Sequence, residues 1–165
     1  MKRTVLIIIA LAGILNAYAQ RGRTAVLKEI SGMEVIKTIY PEASKVEQQN
    51  EVWFEILDAD GNLIGYTLSS KPFSDDIIGY RGATPVIVIM DKNKVIRKVS
   101  ILSHKETISY INRLTNWGFF DNWNGLTVSD AKEKQVKVDA YTGATMTAVS
   151  LIKNMDIILE KAAGN

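Results

Sequence analysis

The apolar run Val86-Ile87-Val88-Ile89-Met90 restricts the fold of this chain more than any other segment. It is too short for a typical helix and is rich in β-branched residues, so it predicts a strand. Because the run is apolar without interruption, it predicts a strand at the centre of a sheet. The turn residues 91–94 and a second strand over 95–102 follow it, and together they predict a hairpin.

Other segments also carry strand or helix patterns. A second hairpin is predicted from strands at 52–57 and 63–68, joined by the turn pair Asp60-Gly61. The remaining predicted elements are a helix over 24–40 that ends at Pro41, a helix over 106–114 and a short strand over 135–138. Residues 70–85 form a loop rich in Gly and Pro, and residues 117–125 have no regular period.

The segment 145–160 has the clearest helical period in the sequence. Its apolar face consists of Ala148, Leu151, Ile152, Met155, Ile158, Leu159 and Ala162. Its polar face consists of Ser150, Lys153, Asn154, Asp156, Glu160 and Lys161. This pattern predicts an amphipathic helix that ends at Gly164. The fold class predicted from all elements is α+β, with a mainly antiparallel sheet built from hairpins and helices packed on it.

The first residues have the pattern of a secretory signal. Lys2 and Arg3 are followed by an apolar run from Val5 to Leu15 and by the small-x-small cleavage site Ala17-Tyr18-Ala19. We therefore predict a signal peptide over 1–19, a single soluble domain over 20–165, and a periplasmic or otherwise extracytoplasmic location. An uncleaved membrane anchor is the weaker alternative, because the apolar run is short for a bilayer span.

Charge and residue usage exclude several classes of function. Lys2 and Arg3 account for the whole excess of the 20 basic residues over the 18 acidic ones, so charge gives no reason to expect a nucleic-acid partner. The chain has no Cys, which excludes disulfides, thiolate-bound iron–sulfur clusters and haem attached through Cys. His104 is the single His and lacks neighbours at metal-ligand spacing, so no metal site is predicted. No pattern of catalytic residues is present, and none is assigned.

The start of the last helix is a candidate anion site. We predict Thr142 as the N-cap, Gly143 and Ala144 as residues that bring backbone donors close, and Thr145 as the third helical residue. Unpaired N–H groups and the positive end of the helix dipole would favour a phosphate there. The alternative is that these residues only cap a helix.

The longer segment 139–147, Asp-Ala-Tyr-Thr-Gly-Ala-Thr-Met-Thr, resembles the flavinylation signature of the FMN-binding domain family. In that family an Asp is followed by two variable residues, Ser or Thr, and then Gly-Ala-Thr. The resemblance extends over about 79–160. Its supporting motifs are Gly79-Tyr80-Arg81-Gly82, Ser103-His104-Lys105-Glu106-Thr107 and Trp123-Asn124-Gly125, in the order that the family has.

The resemblance implies that Thr145 carries FMN covalently through a phosphoester. In the family, which includes flavin subunits of the sodium-pumping quinone reductase and related complexes, a dedicated flavin transferase attaches the cofactor from FAD with a divalent metal. The same resemblance assigns Thr142, Gly143 and Ala144 to the cofactor site. It gives Asp139 a part in transferase recognition or loop geometry, and the alternative for Asp139 is a solvated strand end.

Further site residues follow from the other motifs. Glu106 and Thr107 resemble a Glu-Thr pair that lies near the flavin in the family, and His104 and Gly82 belong to the same motifs. The alternative for Thr107 is that it caps the helix that follows. Many relatives have Pro-Gly after Glu-Thr, whereas this chain has Ile108-Ser109-Tyr110, so the local loop shape is expected to differ.

The aromatic residues after that helix could contact the flavin ring or form core, and the core is favoured; they are Trp117, Phe119, Phe120 and Trp123. Arg81 could pair with a phosphate, although a solvated side chain is favoured. The sequence as a whole favours an electron-transfer domain, which holds FMN and passes electrons between extracytoplasmic redox partners, over a free-standing enzyme. The alternatives are a small FMN-dependent reductase of an exported substrate and a non-redox binding module with a relic flavinylation motif.

Overall fold

The structure is a computed structural model and describes residues 32–164. Its helices and strands are α1 (Gly32–Lys37), β1 (Lys45–Gln48), β2 (Trp53–Leu57), β3 (Leu63–Ser69), β4 (Val86–Met90), β5 (Ile96–Ile101), α2 (Ile108–Asn116), α3 (Val128–Glu133) and α4 (Thr145–Ala163). Short 3-10 helices occur at Lys71–Phe73, Phe119–Trp123 and Val138–Tyr141. The predicted signal peptide and the first part of the predicted helix over 24–40 lie outside the described residues.

The strands form one antiparallel sheet of five strands in the order β1-β2-β3-β4-β5, so each strand pairs with its neighbour in sequence. Both predicted hairpins are therefore confirmed. The edge strand β1 was not predicted, because its sequence Lys-Val-Glu-Gln buries only Val46 and lacks a recognisable apolar alternation.

Strand β4 lies between β3 and β5, and each of its residues is buried. Val86, Val88 and Met90 face a cluster that includes the apolar residues of α4. Ile87 and Ile89 face the opposite side of the sheet, where they pack with residues that include Ile36 of α1. The continuous apolar run of β4 is thus explained by a sheet that is covered on both faces, as predicted for a central strand.

Helix α4 covers one face of the sheet and ends at Gly164, as predicted. Leu151, Met155 and Ile158 are fully buried on that face. The carboxyl end of the helix is joined to β2 by the indole N–H of Trp53, which donates to the carbonyl of Ala162 at 3.3 Å. The predicted α+β class with helices packed on an antiparallel sheet is confirmed.

The predicted strand over 135–138 is wrong. Residues 134–137 have no regular structure, and a 3-10 helix follows at Val138–Tyr141. Val136 and Val138 are partly buried against the core, which accounts for the alternation that indicated a strand, but no neighbouring strand pairs with them.

Across residues 32–164, no helix has both the length and the apolar character that crossing a membrane requires.

Candidate functional site

The chain enters α4 through a tight turn rather than through a side-chain cap. The cap residue is Ala144, and Thr145 is the first helical residue, so the predictions of Thr142 as N-cap and of Thr145 as third helical residue are wrong. The 3-10 helix before the turn explains the difference, because the N–H of Ala144 donates to the carbonyl of Tyr141 at 3.0 Å. The hydroxyl of Thr142 points back and donates to the carbonyl of Asp139 at 3.4 Å.

Gly143 allows this turn. Its φ of +84° lies in the left-handed region, where a residue with a Cβ is strained. The first bond within α4 runs from the N–H of Ala148 to the carbonyl of Ala144 at 2.9 Å. The N–H groups of Thr145, Met146 and Thr147 therefore have no carbonyl partner within the helix, and they lie at its positive end. This geometry is suited to an anion.

A cleft of about 230 Å³ lies at this helix end. It is lined by Tyr80, Tyr110, Gly143, Ala144, Thr145, Met146 and Thr147. The rings of Tyr80 and Tyr110 meet edge to face, with their centroids 5.4 Å apart. Three predicted site residues, Gly143, Ala144 and Thr145, thus line one cleft. Tyr80 and Met146 lie in segments that carry the family resemblance but were not predicted as site residues, and Tyr110 was missed because nothing in the sequence indicates that its helix meets the turn before α4.

The three hydroxyls near the helix start have different environments. Thr147 is buried and its hydroxyl donates to the carboxylate of Glu106. Thr142 is exposed but is not part of the cleft lining. Thr145 is exposed and lines the cleft, and its hydroxyl makes one long hydrogen bond, to the carbonyl of Tyr141 at 3.4 Å. Among the three threonines, Thr145 therefore carries the accessible hydroxyl of the cleft.

Glu106 lies behind the cleft and joins two of its walls. Besides the bond from Thr147, its carboxylate accepts the backbone N–H groups of Arg81 at 2.6 Å and of Tyr80 at 3.2 Å. Burial alone raises the pKa of Glu106, but these bonds and one from the N–H of Gly82 outweigh it and hold the pKa below the usual value. Glu106 thus fixes the loop that carries Tyr80 to the first turn of α4.

The loop at residues 79–82 is closed by a backbone bond from Gly79 to Gly82 of 2.8 Å and by a bridge between Ile78 and Ala83. Gly79 is buried, and a Cβ there would clash with Ser150, Thr84 and Glu106 at 2.9–3.0 Å. A larger residue would therefore push the loop away from Glu106.

The other predicted site residues surround the cleft without lining it. His104 accepts the N–H of Glu106 through Nδ1 at 3.1 Å, and burial lowers its pKa against the opposite effect of the Glu106 charge. Thr107 is the N-cap residue of α2, but its side chain makes no cap bond. Asp139 is exposed in the 3-10 helix before the turn, and the side chain of Arg81 is also exposed. Gly82 contributes its N–H to Glu106.

A row of buried polar side chains continues from Thr147 along α4. The hydroxyl of Thr84 donates to Oγ of Ser150 at 2.8 Å, and Ser150 donates to the carbonyl of Thr147 at 2.9 Å. Asn154 donates to Thr84 at 3.3 Å, and its Oδ1 has no partner among the described residues. The assignment of Ser150 and Asn154 to the solvated face is therefore wrong, because a polar loop residue packs against them.

Several large apolar side chains are exposed, and some of them belong to the cleft. Within residues 32–164 they are Ile78, Tyr80, Ile108, Trp117 and Met146. Tyr80 and Met146 line the cleft, whereas Ile78 and Ile108 lie two residues before Tyr80 and Tyr110. Phe119 and Trp123 are buried and Phe120 packs against the core, as favoured from the sequence, while Trp117 lies beside Tyr141 on the surface.

Residues 32–164 contain no group of three or more His, Cys, Asp or Glu side chains that could hold a metal ion. The groups that the cleft offers to a ligand are the hydroxyl of Thr145, the unpaired backbone N–H groups at the start of α4, and the aromatic rings of Tyr80 and Tyr110.

Comparison with known proteins gives three findings. Residues 79–160 match the family model described as FMN-binding domain. A subunit of the ion-translocating oxidoreductase complex of Aliivibrio fischeri is 34% identical in strain ES114 and 33% identical in strain MJ11, over 86 residues in each. These matches cover 46% of this chain and 40% of each relative. The crystal structure of Shewanella oneidensis NqrC is similar with a TM-score of 0.41 and 16% identity, over 76% of this chain and 71% of that chain.

Proposed function

Residues 79–160 belong to the FMN-binding domain family, and from this premise we propose that the chain is an exported flavoprotein that carries FMN on Thr145 and passes electrons between proteins outside the cytoplasm. The observation that carries the attachment site is the accessibility of one hydroxyl. Thr145 is exposed in the cleft at the start of α4, whereas Thr147 is buried and Thr142 lies outside the cleft lining.

The residues present fit the phosphate end of FMN. Thr145 supplies Oγ, and the N–H groups of Thr145, Met146 and Thr147 are without helical partners. Gly143 offers backbone without a side chain beside them. A phosphoester at Oγ would place its negative charge at the positive end of the helix, which is a favourable arrangement.

The walls of the cleft fit the ring end. Tyr80, Tyr110 and Met146 present aromatic and thioether surface of the kind that packs against a flat heterocycle. When bound, FMN supplies the one- and two-electron redox chemistry that no side chain of this Cys-free chain provides. Glu106 keeps Tyr80 in position through the loop at residues 79–82.

The attachment is assigned to a separate flavin transferase that uses FAD and a divalent metal. A Thr hydroxyl is a poor nucleophile without activation, and the structure gives Thr145 no neighbouring base: its hydroxyl contacts a backbone carbonyl. The net change replaces the hydroxyl proton of Thr145 with flavin phosphate, and adenosine monophosphate is the leaving group from FAD.

The redox partners are proposed to be proteins that dock at the border of the cleft. The exposed side chains of Tyr80 and Met146, which line the cleft, offer a contact surface directly beside the ring site. The Aliivibrio relatives are subunits of an ion-translocating oxidoreductase complex, although this chain spans 40% of their length. The signal-like residues 1–19 support an extracytoplasmic location.

Variants at the hydroxyls test the attachment site. The protein is coexpressed with the transferase, denatured and washed free of unbound flavin, and its flavin fluorescence is measured. We expect Thr145→Ala to be dark and Thr142→Ala, which alters an exposed hydroxyl outside the cleft, to fluoresce like the wild type. Thr145→Ser should retain part of the signal. A fluorescent Thr145→Ala protein would show that the attachment site is elsewhere.

A further inference from the structure

Arg113 lies against the turn that precedes the attachment residue. It belongs to the last turn of α2, and its Nη1 occupies the space into which a Cβ on Gly143 would project. The guanidinium is also held near the ring of Trp117, with Cζ 5.6 Å from the ring centroid. The side chain therefore places a positive charge two residues before Thr145.

This charge is not neutralised by the protein. The ion pairs found within residues 32–164 join Lys45 to Glu47, Lys71 to Asp75 and Lys161 to Glu51, and no acceptor of a hydrogen bond from the Arg113 guanidinium is found in the same part of the chain. Glu106, whose carboxylate lies behind the cleft, already accepts hydrogen bonds from the hydroxyl of Thr147 and from backbone N–H groups.

Arg113 lies between two helix ends of opposite sign, the carboxyl end of α2 and the amino end of α4. Basic side chains are favourable at the carboxyl ends of helices and unfavourable at the amino ends, because the amino end is positive. Here a guanidinium lies against Gly143, at the amino end of α4, where the first N–H groups lack helical partners. Two sources of positive potential meet at one place, and an anion there would be stabilised by both.

We propose that Arg113 binds the phosphate of the flavin on Thr145 and supplies positive charge that neutralises it. The inference rests on the proposed function, since the phosphate is the one that FMN brings. A guanidinium suits this task because its planar fork can donate two parallel hydrogen bonds to phosphate oxygens. The neighbouring ring of Trp117, whose centroid lies 5.6 Å from Cζ, favours a position of the side chain near Gly143 before the phosphate arrives.

Titration of the flavin-free protein with inorganic phosphate tests the site without depending on flavin attachment. In NMR spectra at constant ionic strength, phosphate should shift the amide signals of residues 145–147 and the Arg113 side-chain signal. We expect Arg113→Gln to weaken the phosphate affinity by roughly tenfold and Arg113→Lys to weaken it less. The matched control is Arg97→Gln, which removes the same charge from an exposed position on β5 near Tyr40 and should leave the affinity unchanged.

A pair of glycine variants separates the Arg113 contact from backbone strain. Gly61 and Gly143 have similar φ values of +83° and +84°, but a Cβ on Gly61 meets nothing within 4 Å. Gly61→Ala and Gly143→Ala should therefore be strained to a similar degree, while Gly143→Ala alone should displace the guanidinium and weaken phosphate binding.

The outcomes distinguish this inference from the proposed function. Equal phosphate affinity in wild type and Arg113→Gln, or no phosphate binding by the wild type, overturns the role of Arg113 even if Thr145 carries flavin. Phosphate binding that depends on Arg113 in a protein that never accepts flavin supports an anion site and refutes the proposed function. With the transferase present, we also expect slower flavin attachment to Arg113→Gln than to Arg97→Gln.

Discussion

The carboxylate of Glu106 accepts hydrogen bonds from the loop at residues 79–82 and from Thr147, so one buried charge joins the wall that carries Tyr80 to the first turn of α4. The side chain is only 4% exposed. Because several donors converge on it, the geometry of the cleft depends on the ionised form of this residue.

Replacement of Glu106 by Gln should destabilise the protein. The amide nitrogen of Gln cannot accept an N–H, so buried donors lose their acceptor, and we expect a loss of about 1–3 kcal/mol in the free energy of unfolding at about pH 7. Since the folded pKa of Glu106 is lowered, the advantage of the wild type is complete above the unfolded value of about 4.3 and is lost as the pH falls through the folded pKa. Urea unfolding of both proteins across this pH range measures the effect.

The control is Glu133→Gln at an exposed position in α3, which should change the unfolding free energy by less than about 0.5 kcal/mol. A difference between wild type and Glu106→Gln that stays constant as the pH falls would contradict the assigned role of the carboxylate.

The sequence alone predicts which segment lines the candidate cleft but not the shape of that segment. Gly143, Ala144 and Thr145 were predicted and do line the cleft. The prediction of Thr142 as the N-cap is wrong because Thr142 directly follows a 3-10 helix. The N–H of Ala144 bonds to a backbone carbonyl of that helix, and this bond takes the place of the expected side-chain cap. The contact of Arg113 with Gly143 was not predictable, since it depends on how α2 packs beside the turn.

The buried surface of α4 is wider than its stripe of apolar residues. Its apolar stripe covers the sheet, and the polar row of Thr147, Ser150 and Asn154 beside that stripe is buried as well. The row has this environment because Thr84, in the loop before β4, and Glu106 supply hydrogen-bond partners.

Asn154→Ala should therefore behave as a core substitution. It removes donors to the carbonyl of Ser150 at 3.0 Å and to Thr84, and it leaves a small cavity, so we expect about 1–3 kcal/mol of destabilisation. The neighbouring exposed Lys153→Ala should stay within about 0.5 kcal/mol of the wild type. Equal melting temperatures for the two variants would show that Asn154 is not held as the structure has it.

Helices and strands were predicted correctly where the spacing of apolar residues alone determines the structure. The two hairpins and α4 were predicted because their apolar residues follow the period of a strand or a helix. The edge strand β1 is not predictable from apolar spacing because Val46 is its single buried side chain. The alternation over 135–138 misled because packing of a loop on the core gives the same pattern as a strand.

In the described part of the chain, the sheet extends beyond the residues that match the family model. Strands β1 to β3 precede the matched residues 79–160, and β3 pairs directly with β4 inside them. The second face of β4 is covered by residues that include Ile36 and Phe54, which also precede the match. The matched residues and the strands before them therefore form one sheet and contribute jointly to the core clusters on its two faces.

We expect this arrangement to unfold in a single cooperative transition. A fragment that starts at residue 79 would expose an edge of β4 and its buried face at Ile87 and Ile89, so it should fail to give a dispersed NMR spectrum. A well-folded fragment with flavin bound would show that the preceding strands are a separate unit.

The intact mass of the protein, coexpressed with the flavin transferase in an export-competent host, decides whether Thr145 carries FMN. We expect the mass of a chain that begins at Gln20, increased by the mass of FMN less one water, with the addition mapped to the peptide that contains Thr145. A mass equal to that of the unmodified chain would contradict the claim that this cleft holds FMN through Thr145.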